Sequence, residues 1–159
     1  MRALIQLALS GLLGLTASSV AAQTLQQTRH VVLAINNVDR YGPHLADAAN
    51  RSLYMFTADQ QATGNMPAVS RCNDACAEVW PPVITTQPVR TETGMDDKLI
   101  GTVQRPDGST QLTFGGWPVY YYLRDQKVGY VGGQGVNEFG GLWYLLSPSG
   151  EPMKSIPKQ

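Results

Sequence analysis

The chain has 159 residues, with 12 basic and 12 acidic side chains and only 15% of its residues charged. Charges of both signs are interspersed, which excludes the one-sided electrostatic footprint of a nucleic-acid or anionic-lipid binder. Sixteen glycines and ten prolines suit many short strands joined by tight turns better than long helices.

Residues 1–22 read as a secretory signal: Arg2 supplies the positive start, residues 3–15 are apolar with few interruptions, and Ser19-Val20-Ala21-Ala22 offers small residues for cleavage after Ala22. The apolar part is too short to span a membrane, and no later stretch approaches the ~20 residues a span needs. No cysteine lies near the cleavage site, so no lipid anchor is expected there. Cleavage leaves 137 residues, 23–159, with 11 basic and 12 acidic side chains because Arg2 is lost. That length suits one domain with a real core.

Residues 23–28 are a polar leader. The β-branched run 31–35 predicts a first strand and 41–45 a second; Ala48-Ala49-Asn50-Arg51 turns the chain into a third at 52–57, making a hairpin. Residues 59–70 are polar, with Gly64 and Pro67, hence loop. In 71–82, RCNDACAEVWPP, Asn73 or Asp74 can cap a helical turn over 75–79, which Pro81-Pro82 stops. Residues 88–97 are a polar linker and the expected boundary between two halves. Strand 99–104, the turn Pro106-Asp107-Gly108 and the returning strand 111–114 follow. After Gly115-Gly116, WPVYYYLRD predicts a strand over 117–123. Tyr120 and Tyr122 share one face, Tyr121 and Leu123 the other. Both faces are apolar, so both are expected to be buried. Residues 126–137 read as loop, 141–146 as the last strand and 151–159 as a polar tail.

The halves repeat. Tyr54, Phe56 and Asp59 recur at the same offsets as Tyr120, Tyr122 and Asp125, and Gly64 and Gly129 follow. Each half has a hairpin before the motif and ends near a tryptophan, Trp80 or Trp143. The expectation is a mainly β protein of two similar hairpin or meander units, residues 31–87 and 98–148, sharing one core as a sandwich or small barrel, with a helical turn near 73–80.

Tyr54-x4-Asp59, CNDACAEVWPP, DGSTQLTFGGWPVYYY and GLWYLL together resemble the bacterial family of secreted repeats with a Y-X4-D motif, over roughly the whole mature chain. The resemblance implies an exported, envelope-located, β-rich bacterial protein and no particular reaction. Many members look like lipoproteins; this chain departs from that, because Cys72 and Cys76 are its only cysteines and both lie deep in the domain.

In an oxidising periplasm a lone cysteine pair is expected to bond to itself, Cys72 with Cys76. A regular helix would not offer good disulfide geometry at this spacing, so the backbone at Cys72 should be irregular. The alternative is a redox or copper-handling site, since paired thiolates suit Cu(I). The copper chaperones with this spacing also need a nearby histidine and a thioredoxin-like fold; His30 and His44 are distant in sequence and the pattern is β-rich. No H-E-x-x-H, G-x-S-x-G or P-loop occurs, and the glycines of 132–141 fail the dinucleotide spacing. The expected function is therefore a non-enzymatic envelope component without a cofactor, whose partner is an envelope protein or small ligand. The Tyr–Asp pairs have two readings. In one, each Tyr hydroxyl needs a buried partner while each Asp closes its following turn through backbone N–H groups. In the other, Tyr54, Phe56, Asp59, Tyr120, Tyr122 and Asp125 form a shallow aromatic and carboxylate binding site.

Overall fold

The computed structural model describes residues 31–92 and 95–155. The expected signal segment, the leader and His30 lie outside the described residues.

Two hairpins set the frame. Strands β1 (Val32–Val38) and β2 (Gly42–Asp47) pair antiparallel, with Leu33 opposite Asp47 and Val38 opposite Gly42. Strand β3 (Tyr54–Phe56) and helix α1 (Ala75–Val79) follow, then β4 (Arg90–Thr91), which pairs parallel with β1. A 3-10 turn, Asp97–Leu99, leads into the second hairpin, β5 (Ile100–Gln104) with β6 (Thr110–Phe114), and β7 (Trp117–Pro118) adds to β6. The chain closes with β8 (Asn137–Glu138) and β9 (Gly141–Leu145). The fold is mainly β: three small sheets, ordered β2-β1-β4, β3-β9-β8 and β5-β6-β7, with no closed barrel among the described residues.

The hairpins correspond bond for bond. Ala48 donates its N–H to the Val32 carbonyl as Gly115 does to Leu99; Tyr41 donates to Val38 as Gly108 does to Arg105. Leu33 thus matches Ile100, and Leu45 matches Leu112. At the centre, Tyr54 and Tyr120 exchange both backbone hydrogen bonds, each 2.9 Å long. Outside this pair, β3 runs against β9, with Phe56 opposite Trp143, and residues 120–123 run against 79–83. Each half's motif strand is completed by the end of the other half.

Side chains alternate along the centre. Tyr54 and Phe56 enter a cluster with Trp80, Trp143, Tyr120 and the cysteines; Leu53 and Met55 enter a second with Leu33, Leu45, Leu112 and Phe114. This is the period-2 rule applied to a strand buried on both faces.

Several expectations change. Residues 117–123 form a regular strand only at Trp117–Pro118, because Pro81 and Pro82 of the partner segment and Pro118 itself have no N–H to give to a ladder. Tyr120 and Tyr122 are buried as expected, but Tyr121 is half-buried and Leu123 is 62% exposed: no described residue buries that face past Tyr121. Tyr121 itself is covered by the Arg51 guanidinium, 4.1 Å from its ring. Helix α1 begins where expected, yet neither candidate side chain caps it. Asp74 sits at φ 49° without a side-chain cap bond, and the Asn73 side chain is engaged by Arg105. The linker 88–97 supplies β4, and loop 126–137 ends in β8.

Candidate functional site

The two tyrosine hydroxyls cross the molecule. Tyr120 donates to Asp59 Oδ2 at 2.8 Å, and Tyr54 donates to Asp125 Oδ2 at 2.5 Å. Each tyrosine therefore finds the aspartate of the other repeat, not its own. The second carboxylate oxygen reaches past its adjacent turn to the far end of the following loop: Asp59 Oδ1 accepts Arg71 N–H at 2.7 Å, and Asp125 Oδ1 accepts Gly132 N–H at 2.8 Å. The nearest turn is closed by backbone alone, Asp59 N–H to Phe56 and Asp125 N–H to Tyr122. Each aspartate thus accepts a backbone N–H group as expected, but from the far end of the loop that follows and not from the turn directly after it. Backbone pairing of Tyr54 with Tyr120 puts both hydroxyls where the opposite carboxylate can be met.

Burial sets the electrostatics. Asp59 is almost fully buried, and loss of water pushes its carboxyl up to about 6, against the opposing pull of the Arg71 N–H and the Tyr120 hydroxyl. Asp125 is half-buried and also raised, chiefly by burial. Burial, followed by the facing carboxylate, raises Tyr54 and Tyr120 far above the ordinary phenol range, so both hydroxyls stay protonated as donors.

Four rings stack between the pairs. Phe56 lies on Trp143 at 4.1 Å between centroids, Trp143 on Trp80 at 3.9 Å, and Trp80 on Tyr122 at 4.0 Å. Tyr54 meets Trp80 edge-on and Tyr120 meets Trp143 edge-on. The order again alternates between the halves, and the edge-on contacts are a favoured aromatic geometry. Tyr54, Phe56 and Tyr120 are buried to within 2% and Tyr122 to 7%, so these four residues present little open surface.

Arg105 was not singled out by the sequence. It follows β5 directly and is buried; it donates to Ser70 Oγ at 2.6 Å, to Gln111 Oε1, to the Cys72 carbonyl and to Asn73 Oδ1. Ser70 in turn shares a hydrogen bond with the Tyr120 hydroxyl, so one chain of contacts runs from Asp59 to the cysteine loop. No local sequence signal marks this arginine; apart from Gln111, its side-chain hydrogen-bond partners Ser70, Cys72 and Asn73 come from more than thirty residues away.

The Cys72 and Cys76 sulfurs are bonded at 1.93 Å, with Cys72 in irregular backbone just before α1. His44 is buried in β2, its ring nitrogens engaged by the Gly42 carbonyl and Ser52 Oγ, and burial lowers its pKa. Among the described residues no three His, Cys, Asp or Glu side chains are grouped to hold a metal ion. No helix among them is long and apolar enough to cross a membrane.

Fold and site define a duplicated β protein whose halves complete each other through crossed Tyr–Asp pairs. A family described as a secreted repeat of unknown function matches the chain twice, over residues 38–84 and 101–147, and the chain belongs to that family. No curated protein and no solved structure matches it.

Proposed function

We propose that this chain is an exported, non-enzymatic binding or structural component of the bacterial envelope, released by cleavage near Ala22. One observation carries the reading: the hydroxyls and carboxylates that could have formed a reactive site are engaged in joining the two repeats and in holding the loop after each aspartate. Buried acceptors of this kind stabilise a fold, and their removal strands donors at a cost of ~1–3 kcal/mol each. A carboxylate held for turnover or ligand capture is instead kept at some cost to stability. Thermal unfolding of Asp59→Ala and Asp125→Ala without ligand separates the two. The expected result is a loss of roughly 2–8 °C in each, the scaling for a domain of this size. Unchanged or higher melting temperatures in both variants would overturn the architectural role of these carboxylates and make the Tyr–Asp pairs the first place to look for a binding or reactive site. Mass spectrometry of the periplasmic fraction, expected to find a chain starting at or next to Gln23, tests the export.

A further inference from the structure

The duplication gives an internal comparison of the outer edges of β1 and β5. In the first half that edge is covered: Arg90 and Glu92 of the β4 segment donate their N–H groups to the Val31 and Leu33 carbonyls, at 3.0 and 2.9 Å. By the hairpin correspondence, the matching carbonyls in the second half are those of Lys98 and Ile100. No described residue donates to either.

The register shows which groups on β5 stand open. Leu99 accepts from Gly115, and Arg105 donates to Ser109, so the odd-numbered positions face β6. The backbone groups of Thr102 and Gln104 and the Ile100 carbonyl therefore point away from the sheet. Strand β5, IGTVQ, has neither charge nor proline and is not bulged, so it lacks the usual devices that keep a sheet edge from pairing.

A groove of about 610 Å³ runs beside this edge, with Gly101 and Thr113 on one side and Ala62, Pro67 and Ala68 on another. The absence of a side chain at Gly101 keeps it open; a Cβ there would stand 2.7 Å from Thr113 Oγ1. Among the described residues lining it, Lys98 is the one that carries a charge.

We propose that the outer edge of β5 is a docking site for an extended peptide segment of a partner protein, added parallel to β5 as β4 is added to β1. The peptide backbone bonds to Ile100, Thr102 and Gln104, alternate small apolar side chains enter the groove, and a carboxylate near the peptide's start meets Lys98. Strand addition works in this way: main-chain bonds give affinity, and pockets for alternate side chains give selectivity. The proposal rests on the reading of the chain as a binding component and names the partner's chemistry.

The test selects random seven-residue peptides displayed on phage against the intact exported chain, residues 23–159. Synthetic copies of the selected peptides are then titrated into labelled protein and followed by backbone amide resonances. Saturable shifts are expected at Thr102 and Gln104, with no matching change at Leu33. Thr102→Pro removes an outward N–H and leaves the β5–β6 ladder intact; it should weaken binding by about tenfold or more. Should that variant fail to fold, peptides N-methylated at alternate bonds serve on the unaltered protein and should not bind. Lys98→Glu should weaken the acidic peptides several-fold. Peptides that map to another surface, such as the exposed loop with Leu123, Val128 and Tyr130, overturn the β5 site but leave the binding reading standing. A selection that returns no peptide directed to β5 also overturns it, while the aspartate variants judge the architectural role of the Tyr–Asp pairs independently.

Discussion

Asp59 and Asp125 hold matching places in the two repeats but differ in depth: Asp59 is 8% exposed, whereas Asp125 is half-buried and flanked by the open Arg124. Of the two alanine variants, Asp59→Ala should therefore show the larger loss of melting temperature, because its stranded donors cannot reach water as readily. Asp59 also predicts a pH dependence. Its carboxyl is raised to about 6 in the fold, from the ordinary 3.8. A folded state that holds the proton more tightly has a contribution that is fully present below about pH 4 and lost as pH rises through 6. The size is of the order of 3 kcal/mol, at 1.36 kcal/mol per unit. Urea unfolding at several pH values should show this decline between pH 4 and 7 in the native chain and not in Asp59→Asn, whose amide stays neutral. Equal pH profiles for the two proteins would remove the assignment.

Among the elements, the crossed pairing matters more than any single strand. Strand β3 is only three residues long, and no short segment of this kind is stable alone. It persists because β9 lies on one side and Tyr120 on the other, with the ring stack beneath. Crossing also sets which residues are energetically linked. A double-mutant cycle of Tyr54→Phe with Asp125→Ala should give a coupling of ~0.5–3 kcal/mol, as should Tyr120→Phe with Asp59→Ala. Tyr54→Phe with Asp59→Ala, two residues of one motif without a shared bond, should be additive within ~0.5 kcal/mol. Coupling inside each motif rather than across them would contradict the geometry. Gly133 belongs to the same unit: its amide reaches the Tyr54 hydroxyl at 3.3 Å, and a Cβ there would stand 2.8 Å from the Tyr54 ring and 2.9 Å from Trp80.

For the whole molecule, exchange of end strands makes each half incomplete. Residues 120–123 need 79–83, and β3 needs β9. Neither repeat can bury its ring pair alone, since Phe56 stacks on Trp143 and Tyr122 on Trp80. A chain divided between Thr93 and Gly94 should therefore give two fragments that fail to fold separately and assemble when mixed. Circular dichroism of each fragment and of the mixture reads this directly; a cooperative thermal transition in either fragment alone would count against the interlock.

Much of the local structure was legible in the residues. Turn chemistry marks the hairpin at Pro106-Asp107-Gly108, Pro81-Pro82 marks the stop after α1, and the matched offsets of Tyr, aromatic and Asp mark the duplication. These signals are local because strand period, turn conformation and missing proline donors act within a few residues. The pairing of Tyr54 with Asp125 and of Tyr120 with Asp59 was not legible. Either aspartate could have answered either tyrosine, and the choice spans 71 and 61 residues. The burial of Arg105 and the exposure of Leu123 were hidden for the same reason. The sequence by itself determined two copies of one strand-and-turn unit. Only the tertiary structure decided that the copies interlock, because a buried hydroxyl takes whichever carboxylate the folded backbone brings within reach.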